Sequence, residues 1–135
     1  MTVKSLYIIR GLPGSGKTTL AHLIALSYNT VGVNAVAHAA DDFFTDPNGN
    51  YNYVREHIAK AHDWCQGQVD MEMRCDVPVI IVHNTFTRRS EISAYEEMSD
   101  KYGYTISEII CKGSFENVHD VPDKVIEIMR QRWEN

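Results

Sequence analysis

Eight consecutive residues, Gly11-Leu12-Pro13-Gly14-Ser15-Gly16-Lys17-Thr18, satisfy the pattern G-x-x-x-x-G-K-[ST] at every fixed position. These residue types suit one task, holding a chain of phosphates. Gly11, Gly14 and Gly16, with Pro13 and Ser15 between them, let successive backbone N–H groups converge on an anion without a Cβ in the way. The loop opens into a predicted helix N-terminus, whose free N–H groups and dipole favour negative charge. Lys17 supplies a point charge for the β- and γ-phosphates. The Thr18 hydroxyl suits Mg²⁺, and Thr19 adds a donor at the helix start. The ligands this loop predicts are a nucleoside triphosphate and Mg²⁺, with Gly11, Pro13, Gly14, Ser15, Gly16, Lys17, Thr18 and Thr19 as the nucleotide-binding set.

Three other segments carry candidate chemistry. Asp41 and Asp42 follow a predicted strand directly. A carboxylate there can accept the proton of an attacking hydroxyl or ligate Mg²⁺, directly or through water. Asp41, nearer the strand, is the better candidate for both, and Asp42 is expected to face substrate. The competing reading is an Asp pair that caps a turn in solvent. His83-Asn84-Thr85-Phe86-Thr87-Arg88-Arg89 follows a predicted third strand. Many phosphate-loop proteins carry an aspartate there, whereas a neutral His83 is a poor ligand for a hard cation. Asn84 and Thr85 could position phosphate oxygens or Mg²⁺-bound waters. Arg88 and Arg89 form an adjacent basic pair suited to a substrate phosphate, or one of them pairs with Glu91 on the surface. The loop from Lys112 to Pro122 occupies the place of a kinase lid but contains no arginine. Within it Asn117 and His119 are candidate contacts for adenine or ribose, against the alternative of a cap leading into the last helix.

The elements that must position these residues alternate. Residues 3–10 read as a buried strand that stops at Gly11, and 17–29 as a helix with Leu20, Leu23, Ile24 and Leu26 on its apolar side. A short strand spans 33–39. Asp46-Pro47-Asn48-Gly49-Asn50 is a turn, because Pro sets φ and Asn-Gly tolerates positive φ. A helix is expected at about 53–75, with Val54, Ile58, Ala61, Cys65 and Val69 along one stripe. Residues 77–82 form a continuous apolar run, the pattern of a strand covered on both faces. A helix over about 88–102 ends at Gly103, a strand spans 104–111, and Pro122 opens a last helix reaching Trp133. Trp64 and Trp133 read as helix–sheet packing.

The order βαβαβαβ, then α, implies an α/β fold: a four-stranded parallel sheet covered by helices on both faces. Every motif falls at the carboxyl ends of the strands, where such sheets bind ligands. The 135 residues make one domain, residues 1–135. With 13 basic and 18 acidic residues the net charge is −5, which argues against a protein that coats nucleic acid non-specifically. No apolar run is long enough for a membrane span and the start lacks a secretory signal, so no membrane association is expected. Cys65, Cys75 and Cys111 match no zinc or disulfide framework, which favours a reducing cytoplasm and no structural metal. His57 and His62 are five apart, on different helix faces, and form no metal site; His22 and His38 have ordinary structural explanations.

Four runs together, Gly11–Thr18, Ala40–Phe44, Asn84–Glu91 and Asn117–Pro122, resemble the P-loop 5′-hydroxyl polynucleotide kinase family. The resemblance is to its short single-domain, kinase-like members, many of them encoded by bacteriophages, and runs from about Val3 to Trp133. It implies a P-loop NTPase fold, a three-layer αβα sandwich whose four-stranded sheet has the strand order 2-3-1-4, and ATP-dependent phosphorylation of a DNA or RNA 5′ end, in the host cytoplasm if the source is a phage. It implies that Lys17 and Thr18 hold ATP and Mg²⁺, that Asp41 is the general base, and that Arg88 or Arg89 holds a substrate phosphate. Lys17, Asp41 and Arg88 are then the catalytic set, and Asp42, Asn84, Thr85, Arg88 and Arg89 the substrate-side set. The sequence departs from the family in having His83 for its strand-end aspartate and no lid arginine. A kinase acting on a nucleoside or other small alcohol, an ATP-binding module without phosphotransfer, and slow hydrolysis of the nucleotide are the alternatives.

Overall fold

The computed structural model describes residues 3–114 and 121–135. Four strands, β1 (Ser5–Gly11), β2 (Ala35–His38), β3 (Val79–Asn84) and β4 (Thr105–Cys111), form one parallel sheet in the order β2-β3-β1-β4. The helices are α1 (Lys17–Thr30), α2 (Ile58–Arg74), α3 (Ser93–Tyr102) and α4 (Asp123–Gln131). The predicted fold class and strand order are therefore those found.

The central strands carry the apolar runs. All six residues of β3 are buried, and Leu6, Ile8 and Ile9 of β1 are fully so. Strand periodicity splits the core. Leu6, Ile8, Ile80 and Val82 pack with Ala61, Cys65, Val69 and Met73 of α2 and with Tyr95 of α3. Ile9, Val79 and Ile81 face the other way, onto Ala21 of α1 with Leu20, Ile24 and Tyr28 around it. Among the described residues no helix is long and apolar enough to cross a membrane. The three cysteines are free thiols.

Several boundaries and faces differ from the sequence reading. Leu23 and Leu26 lie on the outer side of α1, 55% and 61% exposed, because the inward side is drawn by Ala21, Ile24, Ala25 and Tyr28. Helix α2 begins at Ile58 rather than near 53. The preceding residues stay extended because Tyr51 bridges to Thr45 across the Asp46–Asn50 turn, after which Arg55–His57 form a 3₁₀ turn. Strand β3 runs on through His83 and Asn84. Helix α3 starts at Ser93, after an extended Arg88 and a 3₁₀ turn at Arg89–Glu91. Helix α4 ends at Gln131, before Trp133, which stacks against a guanidinium rather than between helix and sheet. Gly103 does close α3, with φ +78°.

Candidate functional site

The phosphate loop links β1 to α1. Gly16 precedes the helix at φ +94° and Gly14 sits at φ +80°, conformations that side chains disfavour. The Ser15 N–H donates to the Leu12 carbonyl (3.1 Å), which closes the loop on itself. A Cβ on Gly11 would lie 2.1 Å from Ser15 Oγ and 3.1 Å from the Cys111 carbonyl, so the root of the loop has no space for a side chain. Ser15 Oγ is buried and has no hydrogen-bond partner among the described residues. A buried hydroxyl in that condition suits a ligand oxygen. Gly11 also donates its N–H to the Thr85 carbonyl at 3.3 Å, tying this loop to the segment after β3.

Lys17 opens α1. Burial lowers its pKa, while the charges of Asp41 and Cys111 act to raise it. Thr18 and Thr19 are exposed at the helix start. Thr18 Oγ1 lies 3.4 Å from His83 Nδ1, at the long end of hydrogen bonding. His83 is 5% exposed and its pKa is pushed down to about 4, first by burial and then by His22, Lys17 and His38. It is neutral at pH 7 and packs edge-on against His22, with ring centroids 5.8 Å apart.

That shift has a measurable sign. Histidine in the unfolded chain titrates near 6.5, so acidification protonates His83 in the unfolded state first. The stability contributed by a neutral His83 is full above about pH 6.5 and is lost as pH falls towards 4, a change on the order of 3 kcal/mol. Urea unfolding at pH 7 and pH 5 should show it, and His83→Gln should flatten the dependence. A wild-type stability that does not change between the two pH values would contradict it.

On the far side of Lys17, residues Ala40–Phe44 form a 3₁₀ turn after β2. Asp42 Oδ2 accepts the Ala39 N–H (3.3 Å), so Asp42 caps that turn, and burial raises its pKa. Asp41 Oδ1 accepts the Tyr51 hydroxyl at 3.3 Å. Tyr51 is delivered by the predicted turn, in which Asp46 Oδ1 accepts the N–H groups of Asn48 and Asn50 at 2.9 Å each. Burial and Asp41 together push the Tyr51 pKa upward, which keeps it a donor. Phe44 packs against its ring, Tyr53 and Phe43 pack on Phe44 in turn, and Phe43 is tilted on Trp64 with centroids 5.9 Å apart. Phe44 is core, whereas Tyr53 is 52% and Phe43 37% exposed.

The remaining candidates divide. Asn84 is buried; its side-chain oxygen accepts the Ala40 N–H (2.8 Å) and its amide faces Cys65 Sγ, so it joins β3 to the Asp41 turn. Thr85 is partly buried beside Gly11. Arg89 is held by Glu108, with Nη1 2.7 Å from both carboxylate oxygens, rather than by Glu91. Arg88 is exposed and its side chain has no ion pair or hydrogen bond among the described residues. Asn117 and His119 lie outside the described residues. Lys112, Arg130 and Trp133 line a cleft of about 600 Å³ that also borders Leu12, Pro13 and Ser15 of the phosphate loop.

Sequence reasoning missed Arg10 and Glu108. Arg10 is 0% exposed and pairs with Glu108 at 2.8 Å. Strand parity was the available signal, since Arg10 falls in step with core-facing Leu6 and Ile8.

Known proteins share this architecture. NEDD4-binding protein 2 of Homo sapiens is 31% identical over 101 residues, covering 75% of this chain and 5% of that protein. The 2′,3′-cyclic-nucleotide 3′-phosphodiesterase of Rattus norvegicus is 33% identical over 106 residues, covering 76% of this chain and 23% of that protein. The chain thus spans less than a quarter of either relative. Among solved structures, the Mycobacterium tuberculosis APS kinase CysC in complex with AMPPNP and APS superposes with a TM-score of 0.65 at 16% identity, over 95% of this chain and 69% of that one. The Pnkp1/Rnl/Hen1 RNA repair complex gives 0.70 at 18% identity, over 98% of this chain and 44% of that one. These likenesses are of fold, that of the P-loop kinases. Residues 6–120 match the family model described as AAA domain, and the chain belongs to that family, built on the kinase-like P-loop fold.

Proposed function

We propose that the protein is an ATP- and Mg²⁺-dependent kinase that transfers the γ-phosphoryl group to the 5′-hydroxyl of a polynucleotide. The observation that carries the reading is Asp41: a carboxylate oriented by Tyr51, electrostatically coupled to Lys17 across the mouth of the phosphate loop. The acceptor oxygen attacks the γ-phosphorus in line, its proton passes to Asp41, and ADP leaves. Lys17 and the loop N–H groups hold the phosphates, and Ser15 Oγ offers them one more polar contact. The Thr18 hydroxyl and the Asp41 carboxylate are hard oxygen donors that suit Mg²⁺, whereas neutral His83 is not. Magnesium shared with substrate phosphates needs no all-protein cage, and no cluster of three or more His, Cys, Asp or Glu stands among the described residues. When bound, the ion would offset charge on the transferring group.

The cleft between the phosphate loop, Ile126 and Trp133 is the place for the donor base. Phe43 and Tyr53, beside Asp41, offer an acceptor nucleoside exposed aromatic surface. The neighbour named for RNA repair and the relative named for a cyclic nucleotide support a nucleic-acid end, and the neighbour named as an APS kinase supports the alternative of a small alcohol. A net charge of −5 disfavours a long non-specific grip on the strand, and the exposed Arg88 is suited to meet one phosphate near its end.

Transfer from γ-labelled ATP to 5′-hydroxyl DNA, 5′-hydroxyl RNA and a nucleoside mixture tests this, with Lys17→Ala as control. Label on an oligonucleotide end that disappears in the control is expected. Acceptor affinity should fall with salt at a log–log slope of only about −0.7 for each phosphate engaged. Label confined to nucleosides or to free phosphate would reject the polynucleotide. One observation favours a second reading, an ATP-binding module without transfer: the imidazole of His83 stands beside Thr18. That reading expects ATP binding with no labelled acceptor.

A further inference from the structure

Arg10 is the last side chain before the phosphate loop, and its guanidinium is fully enclosed. Every nitrogen of it is used. Nε and Nη2 donate to the Phe86 carbonyl at 3.0 and 2.8 Å, Nη1 donates to Glu108 Oε1 at 2.8 Å, and Nη2 also donates to the Glu134 carbonyl. The Trp133 ring closes over it, 4.5 Å from Cζ. An arginine fixed on this many sides is a rigid reference point.

What it grips is unusual. Phe86 has φ +48°, a left-handed conformation that a bulky residue adopts only when its surroundings impose it. Its ring is buried against Tyr95, with centroids 5.7 Å apart, and its carbonyl is held by two arms of Arg10. At Phe86 the chain leaves β3 for a buried Thr87, an extended and exposed Arg88 and the 3₁₀ turn that begins at Arg89. The C-terminal residues fasten the same segment. The Glu134 N–H donates to the Thr87 carbonyl (2.6 Å), Glu134 Oε1 accepts the Arg89 N–H (2.9 Å), and Arg132 Nε donates to Thr87 Oγ1 (3.0 Å). Glu108, shared between Arg10 and Arg89, holds the Arg89 guanidinium back.

We propose that Arg10 is a positioning residue of the transfer reaction: by fixing the Phe86 carbonyl it sets the loop that presents Arg88 to the acceptor, while Glu108 retains Arg89. The inference rests on the kinase reading for its catalytic consequence, but not for its structural half.

Two variants test it, Arg10→Lys and Glu108→Gln. A lysine cannot span the Phe86, Glu108 and Glu134 oxygens at once. Trypsin digestion of the folded protein should therefore cut after Arg88 about 10-fold faster in Arg10→Lys. The acceptor KM should rise about 10-fold, the worth of a charge-assisted contact, with the Kd for ATP unchanged. Adding Arg88→Ala to Arg10→Lys should then cost little more, because the contact is already lost. Additive effects, or an unchanged KM with an unchanged tryptic rate, would overturn the proposal.

Glu108→Gln serves if Arg10→Lys does not fold. It frees Arg89, so cleavage after Arg89 should accelerate and Arg88→Ala should cost less in this background than alone. An undiminished Arg88→Ala penalty there, with Arg89 still protected, counts against the proposal. If the wild type transfers phosphate to nothing, the kinase reading fails, and the tryptic maps alone decide whether Arg10 sets the loop.

Discussion

Asparagine at position 41 is expected to lower phosphoryl transfer by about 10²–10⁴-fold while ATP still binds. The substitution keeps the size of the side chain and an oxygen for the Tyr51 hydroxyl, which sits 3.3 Å from Asp41 Oδ1. What it removes is the ability to take a proton and a negative charge beside Lys17. The second loss has its own signature. Burial already lowers the Lys17 pKa, and Asp41 acts against that burial. In Asp41→Asn the ammonium should deprotonate at lower pH, so ATP affinity should weaken earlier on the alkaline side than in the wild type. Label transfer and ATP titration across pH 7 to about 10 separate the two effects. Wild-type transfer by the variant would remove Asp41 as the base, and loss of ATP binding at pH 7 would make it a ligand-site residue instead.

The other large effect is expected at Gly11. In Gly11→Ala the new methyl would meet Ser15 Oγ at 2.1 Å, and Ser15 Cβ and the Cys111 carbonyl at 3.1 Å. Rotating the serine could relieve the first contact but not the others, so the loop must open. Overpacking of this kind costs about 1–3 kcal/mol, which lowers Tm by several degrees. The nucleotide should suffer more than the fold, because the N–H groups that converge on phosphate are those displaced. We expect ATP affinity to fall by about 10-fold or more, from an equivalent loss of 1.4 kcal/mol. Ser15→Ala in the same chain removes the worst clash and should restore part of the Tm. Unaltered ATP affinity in Gly11→Ala would mean that the loop adapts without loss.

Much of this architecture was legible because local and global signals agree. The apolar run from Val77 to Val82 is the pattern of a strand covered on both faces, and β3 is buried throughout. The strand order β2-β3-β1-β4 came with the resemblance carried by the phosphate loop, because right-handed crossovers alone allow several orders. Errors fell where long-range contacts overrule local propensity. Residues 53–57 carry helix-compatible side chains, but Tyr51 is tied to Thr45 and Tyr53 packs on Phe44, which keeps the chain extended as far as Val54, ahead of the 3₁₀ turn at Arg55–His57. Arg88 and Arg89 look alike in sequence; Glu108 and Glu134, both distant in the chain, distinguish them by holding Arg89. Arg10 was hidden for the same reason, since the partners that justify a buried charge come from residues 86, 108 and 134. The phosphate loop needed no such help, because its geometry is written in consecutive residues.

The two tryptophans of the chain have a consequence for how the molecule can be watched. Trp133 borders the phosphate-loop cleft and lies over Arg10, whereas Trp64 lies under Phe43 on the side of Asp41. The intrinsic emission of the protein is thus divided between the two halves of the site. Silencing either indole with phenylalanine leaves the other as a single optical reporter, one beside the phosphate-loop cleft and one under Phe43, with no foreign dye attached.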